Sequence, residues 1–440
     1  MADKNSTESK SEPEKFKLEF LLKSLNESFG FKLATRNPNN IHNFFQAFLG
    51  IFPGVLDYEA RTITSLTVVT DEMRSNLRAF VSQHEAKLKV LNGVESFISR
   101  LSNGDQLFII PQIKPTQQQS IALHNYLVAE GDKEKYIQLS AQTNDMFKDL
   151  MEDYLLFPYG AKRQTIGEPI KANRVCRFCS KSMPEVTFTK KAHAISEALG
   201  NKTLVLTEEC DDCNQKFATA IEPELIEYFA LNRAIYGIKG KGGAKNYEGK
   251  NFKIFRDEKL ELHYYDSNNN GDPEERRGVD MPGEITLESN KEVAKQNIYR
   301  TLVKYALSVI DSNYLKHFTK TIKWINADFD ADKLPPVAVF FFDTIIDQPT
   351  ITLYIRTSEK MEFPFAVAEL HFALSKYCFI IPFSDKDDKG FFTQETYQVF
   401  FDKFKHYTLL KSYATFTDLS DPVSKPFAMR INFEMKNKGE

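Results

Sequence analysis

Four of the five cysteines in this 440-residue chain form two C-x-x-C pairs, Cys176/Cys179 and Cys210/Cys213, and His193 lies between them. Each pair can take one edge of a tetrahedral zinc, and residues 180–209 between the pairs are enough for a hairpin and a loop. Four thiolates fill the shell of such an ion, so the expected zinc is structural. Reactive chemistry then falls to the side chains that the zinc holds in place. The second knuckle runs straight into an asparagine, in Glu209-Cys-Asp-Asp-Cys-Asn214. The first is followed by the strand-like Glu185-Val-Thr-Phe188 and then by Ala192-His193. Imidazole titrates near neutrality and suits proton removal at pH 7.

Those residues need a scaffold. A chain of this length is too long for one ordinary core, and two or three domains are expected. Residues 1–15 are rich in Lys, Glu, Ser and Asn, lack the apolar stretch of a signal peptide, and are expected to be disordered. Residues 16–165 read as a mainly helical domain for regulation or interaction. Phe16, Leu18, Phe20, Leu21, Leu25 and Phe29 suggest one amphipathic helix there. Thr70 opens a second helix, and Thr116 with Gln119 forms a capping box for another. Residues 166–260 hold the cysteines; a short helix follows Asn214, and Pro223 starts the next. Residues 266–273 read as a polar linker within 261–440, a region of mixed α+β character. In it, Val293, Ile298, Leu302, Tyr305 and Val309 share a helical face. Strands are expected at Val337–Phe342, Ile351–Ile355, Cys378–Phe383 and Met429–Phe433, and a helix at Phe392–Leu409.

The net charge of −3 gives no global pull towards nucleic acid, so attraction must be local. A local patch exists: Lys239, Lys241, Lys245, Lys250, Lys253 and Arg256 face one acid, Glu248. Glycines among them let backbone amides approach phosphate, which lysines neutralise without reading bases. Arg233, just before this loop, can clamp a phosphate. The spacing is not that of a nucleotide P-loop. No run of 18 apolar residues suggests a spanning helix. Paired thiols without a leader point to metal and to the cytoplasm.

Taken in order, Cys176-Arg-Phe-Cys179, Ala192-His193-Ala-Ile-Ser196-Glu197-Ala-Leu-Gly200-Asn201, Glu209-Cys210-Asp-Asp-Cys213-Asn214-Gln-Lys-Phe217, Glu222, Arg233 and Lys239-Gly-Lys-Gly-Gly243 resemble the zinc-containing HNH endonucleases. The resemblance implies a central ββα-metal core between the two flanking regions. It implies His193 as general base, and Asn214 as a ligand of a catalytic Mg²⁺ or Mn²⁺ beside the structural Zn²⁺. Two positions depart from the pattern: Ala192 stands where an acidic metal ligand is common, and Ser196 where proline is usual. A carboxylate must come from elsewhere, with Glu222 first and Glu197 or Glu209 behind it. The implied activity is hydrolysis of DNA with little sequence specificity. By analogy it suggests an antiphage-defence effector under a regulatory protein or small-molecule activator, with no membrane association and oligomerisation open. The alternative is a non-catalytic zinc module that binds nucleic acid or serves as a scaffold; RNA as substrate is a third reading.

Overall fold

The computed structural model describes residues 16–57, 62–63, 65–111, 115–160, 163–240, 246–256, 259–265, 284–408 and 414–432. The expected tail 1–15, the linker 266–273, and Lys241 and Lys245 lie outside the described residues. The chain divides into two compact units, Met1–Asp145 and Met146–Glu440.

The first unit opens on a hairpin where a helix was expected. β1 (Phe16–Lys23) pairs antiparallel with β2 (Ser28–Thr35), from Phe16 opposite Thr35 to Lys23 opposite Ser28. Phe16, Leu18, Phe20 and Leu22 recur every second residue, and that period outweighs the looser helical match. Ser24 closes the turn: its hydroxyl accepts the Glu27 N–H at 3.1 Å. Next come α1 (Pro38–Leu49), the short pair β3 (Leu56–Asp57) and β4 (Thr62–Ile63), and β5 (Leu66–Val68). α2 (Asp71–His84) is capped as expected, the Thr70 hydroxyl accepting the Met73 N–H. After α3 (Leu91–Ser99), β6 (Gln106–Ile110) completes a sheet ordered β2-β1-β6-β5. Phe20, Phe31, Phe48, Met73, Leu77 and Phe97 pack in its core. The predicted capping box of Thr116 and Gln119 opens α4 (Gln117–Ala129). The division between units falls inside α5 (Lys133–Asp153). Residues 16–145 are therefore mixed α and β, not mainly helical.

The second unit begins with β7 (Tyr154–Tyr159) and β8 (Gln164–Ile166), then the cysteine-bearing segment with β9 (Ala192–His193), β10 (Leu204–Leu206) and α6 (Asp211–Ala220). The helices α7 (Glu222–Tyr228) and α8 (Ala230–Tyr236) follow, then the small sheet of β11 (Tyr247–Glu248), β12 (Phe252–Arg256) and β13 (Leu260–Tyr264). β14 (Glu284–Ala294) leads into α9 (Lys295–Val309), α10 (Ser312–Leu315) and α11 (Thr319–Ile325). The expected strands at 337–342 and 351–355 are one long strand, β15 (Val337–Arg356), bulged between Phe341 and Thr350. It pairs with β16 (Ala366–Ile380), with β7, and, after α12 (Gln394–Lys403) and α13 (Lys405–Thr408), with β17 (Ala414–Thr417). β18 (Ser424–Asn432) closes the chain's described part on β14.

One core unites the cysteine-bearing segment with the rest of this unit. Phe178, Phe217 and Leu225 pack with Ile298, Leu302 and Tyr305 of α9 and with Ile351 and Phe372 of the long sheet. α9 is buried on every face, so its polar residues need partners. Gln296 Oε1 accepts from Trp324 Nε1 at 2.8 Å, and Arg300 donates to the Trp324 and Phe329 carbonyls.

Candidate active site

The cysteine cluster is built by local hydrogen bonds. The Cys176 N–H donates to the Lys181 carbonyl at 2.8 Å, turning the first knuckle. The Cys210 and Cys213 N–H groups donate to the Sγ atoms of Cys176 and Cys210, both at 3.4 Å, which favours thiolate. All four Sγ atoms lie within 4.8 Å of one another, and Cys179 Sγ is 3.8 Å from Cys210 Sγ. A tetrahedron of ~2.3 Å zinc–sulfur bonds has edges of about 3.8 Å, so the donor set fits structural zinc.

Two side chains fasten this cluster to its surroundings. Arg177, between the cysteines of the first knuckle, ion-pairs with Glu208 at 2.8 Å and donates to the Leu307 and Ile310 carbonyls at the end of α9. A cation there satisfies the carbonyls that a helix C-terminus leaves open. Asp211 accepts from the Thr187 and Thr189 hydroxyls and from the Thr189 and Lys190 N–H groups. Burial alone would raise its pKa, but these hydrogen bonds hold it well below the usual carboxylate range. They also fix the segment that delivers His193.

His193 sits on β9 opposite Val205 of β10. The turn between these strands is stapled by the fully buried Asn201, whose Nδ2 donates to the Ile195 and Leu204 carbonyls and whose Oδ1 accepts from the Thr203 and Leu204 N–H groups. Gly200 has φ +90°, and a Cβ there would come 2.9 Å from the Asp347 carbonyl oxygen. Gly200→Ala is therefore expected to destabilise the second unit by about 1–3 kcal/mol, read as a lowered denaturant midpoint at unchanged slope. An unchanged midpoint would contradict the close approach to Asp347.

The imidazole of His193 is 15% exposed, with Nε2 3.9 Å from Glu197 Oε2. Nδ1 is buried and makes no hydrogen bond among the described residues. Burial lowers the pKa of this histidine and Lys191 and Lys304 add to that, while Glu197 and Glu222 oppose it. The ring is thus neutral at pH 7 and able to accept a proton.

Lys304 of α9, which the sequence reading did not single out, organises the carboxylates. Its side chain is 1% exposed, and Nζ lies 3.1 Å from both Glu209 Oε2 and Glu222 Oε1. It also faces the rings of Phe178 and Phe217, at 5.9 and 5.7 Å. The contact with Glu222 is a hydrogen bond; that with Glu209 is an ion pair without hydrogen-bond geometry. Burial would lower the lysine's pKa, but the two carboxylates outweigh it and raise it, so the ammonium stays charged. Burial pushes Glu209 up to about 7 against the pull of Lys304. Only the placement of a lysine between Val303 and Tyr305, inside an apolar run, hinted at this role. Lys304→Met should cost about 3–5 kcal/mol by stranding two buried carboxylates. Adding Glu209→Gln should restore part of that loss in urea unfolding; no recovery would mean that packing, and not charge, sets the cost.

The other expected residues divide. Glu222 stands in the first turn of α7, its side chain 12% exposed and engaged by Lys304. Asn214 is half-buried on α6, its N–H bonded to the Cys210 carbonyl at 2.9 Å; its side chain makes no hydrogen bond among the described residues. Arg233 of α8 is half-buried, and burial lowers its pKa; its Nε is unpartnered among the described residues. A Cβ on Gly240 would meet Arg233 Nη2 at 3.2 Å and the Ala198 carbonyl at 2.9 Å. Arg233, Gly240 and the turn after His193 therefore form one patch. Lys239 is exposed beside it, and Lys253 is paired with Glu248 at 2.9 Å.

The arrangement offers a neutral imidazole whose buried Nδ1 has no hydrogen-bond partner among the described residues, carboxylates held by a buried cation, and an arginine beside the same turn. A family model described as HNH endonuclease matches residues 176–230. No curated protein and no solved structure matches the chain. Within a fold of mixed α and β, residues 176–230 thus carry a domain of the HNH endonuclease family, with the four clustered cysteines of its zinc-containing subgroup.

Proposed function

We propose that this protein is a metal-dependent endonuclease that hydrolyses phosphodiester bonds in DNA with little reading of base sequence. The observation that carries this reading is His193: a neutral, partly buried imidazole with a ring nitrogen unpartnered among the described residues, placed by a strand pair that leads through a cysteine knuckle into α6. The chain order β9, β10, α6 supports the expected ββα-metal arrangement. In this reading His193 takes a proton from the attacking water. Arg233 and Lys239 hold the phosphate backbone, and Lys241 and Lys245 extend that contact. Asn214 and a carboxylate, Glu222 or Glu197, would hold Mg²⁺ or Mn²⁺. The ion would supply charge stabilisation at the attacked phosphate and the departing oxygen.

Supercoiled plasmid incubated with Mg²⁺ or Mn²⁺ should be cut by the protein and spared by the His193→Ala variant. The rate should be flat near pH 7 and fall as the pH drops through the folded pKa of His193. Because that pKa is lowered, the acid limb is expected below the ordinary histidine value of about 6.5. A limb above pH 7 would remove His193 as the titrating base.

Binding of a regulatory protein or small-molecule activator, a place in antiphage defence, and a cytoplasmic location belong to the same proposal. Among the described residues no helix is long and apolar enough to cross a membrane. The engagement of Glu222 by Lys304, together with Ala192, favours a second reading: a zinc module that binds nucleic acid without cutting it. Absence of cutting with either metal, with DNA binding intact, would select it.

A further inference from the structure

A cavity of about 670 Å³ lies elsewhere in the second unit, between α11 and the loop that joins β16 to α12. Its volume falls within the usual range for small-molecule sites. Lys320, Lys323, Lys333 and Lys389 line it, and among the described residues none of their ammonium groups is in an ion pair with a carboxylate. The acids nearby are mostly committed. Asp385 Oδ1 is 2.7 Å from His317 Nδ1, and Asp387 accepts the Phe365 N–H at 2.7 Å beside Arg356. Asp388 also lines the cavity without an ion pair among the described residues, so four lysines there face one uncommitted acid and the local balance favours an anion.

The same walls carry aromatic rings in deliberate positions. Lys320 Nζ sits 5.2 Å from the centre of the Phe383 ring, and Lys333 Nζ sits 6.0 Å from that of Phe392. Phe383 and Phe391 bracket the loop with φ of +64° and +52°, a conformation that non-glycine residues avoid unless their surroundings impose it. A Cβ on Gly390 would come 1.9 Å from the Phe392 ring, so the glycine is what lets that ring fold back over the loop. Phe392 nevertheless remains 46% exposed. An exposed ring beside unpaired lysines offers a face for stacking and charge for phosphate.

We infer that this cavity binds a ligand in which phosphate is joined to a flat ring, the chemistry of a nucleotide. The inference does not rest on the nuclease reading, since the site shares no residue with it. The ligand can be a free nucleotide or the 5′-phosphorylated end of a nucleic-acid strand. The lysines hold the phosphates, and Phe392 stacks on the base.

Isothermal titration of the full chain tests this, with no divalent metal added so that strand cleavage does not contribute. The probes are ATP, adenosine, inorganic phosphate and a 5′-phosphorylated DNA trinucleotide. ATP or the trinucleotide should bind saturably, with adenosine and phosphate each at least roughly tenfold weaker. Lys320→Glu with Lys333→Glu should weaken binding by roughly tenfold or more, and Phe392→Ala by several-fold. These positions are exposed, and unchanged circular dichroism would show that the variants fold. Tighter binding of ATP than of the trinucleotide assigns the site to free nucleotides, and the reverse to strand ends. Failure of both to bind below millimolar concentration would overturn the inference. So would unchanged affinity in the charge-reversed variant, or phosphate binding as tightly as ATP.

Discussion

Serine at Cys210 should abolish zinc binding and cost several kcal/mol in stability, well beyond the roughly 1 kcal/mol of an ordinary substitution. Isolated structural-zinc peptides draw about 10–16 kcal/mol from the metal. The loss here should be smaller, because Phe178, Phe217 and Leu225 remain packed against α9 and the long sheet. The effect should still spread, since Arg177 of the first knuckle donates to the carbonyls at the end of α9. Metal analysis should give about one zinc per chain for the unaltered protein and close to none for Cys210→Ser. Cys378→Ser provides the control: that cysteine is buried with Phe340 and Phe401, apart from the cluster, and zinc should stay. Full zinc content in Cys210→Ser would end the four-thiolate assignment.

Alanine at His193 should lower plasmid cutting by about 10²–10⁴-fold, the usual contribution of a positioned base. The effect should fall on kcat with little change in DNA affinity, because phosphate contact is assigned to Arg233 and the basic segment after it. Zinc content and the denaturation midpoint should hold. His193 is partly exposed, and its Nδ1 has no hydrogen bond among the described residues to lose. Cutting that survives at the original rate would move the base elsewhere, and Glu197, 3.9 Å away, would be the first place to look.

Residues close in sequence were read well. The caps at Thr70 and Thr116 form as expected, because a cap needs only four consecutive residues and one hydroxyl. The stretch at 16–29 misled, because Leu21 sits within an alternating pattern and lends it a false helical period. Its true partners, Phe31 across the hairpin and Ile109 of β6, lie further along the chain. Arg177 offered a weaker signal: a charged residue inside a metal knuckle needs a partner, but nothing local shows that the partner is the end of a helix 130 residues away.

The amino-acid order alone determined the four-cysteine cluster, the histidine between its halves, and the family those spacings belong to, because each depends on chemistry fixed within a few dozen residues. Folding decided which carboxylates are engaged. Lys304 meets Glu222 across 82 positions of chain, and no periodicity encodes that encounter. Folding also joined β7 to β15 and gave the HNH segment a shared core in place of one of its own. Burial and charge pairing are properties of what surrounds a residue in space. For a side chain such as Lys304, those surroundings exist only once distant segments have packed.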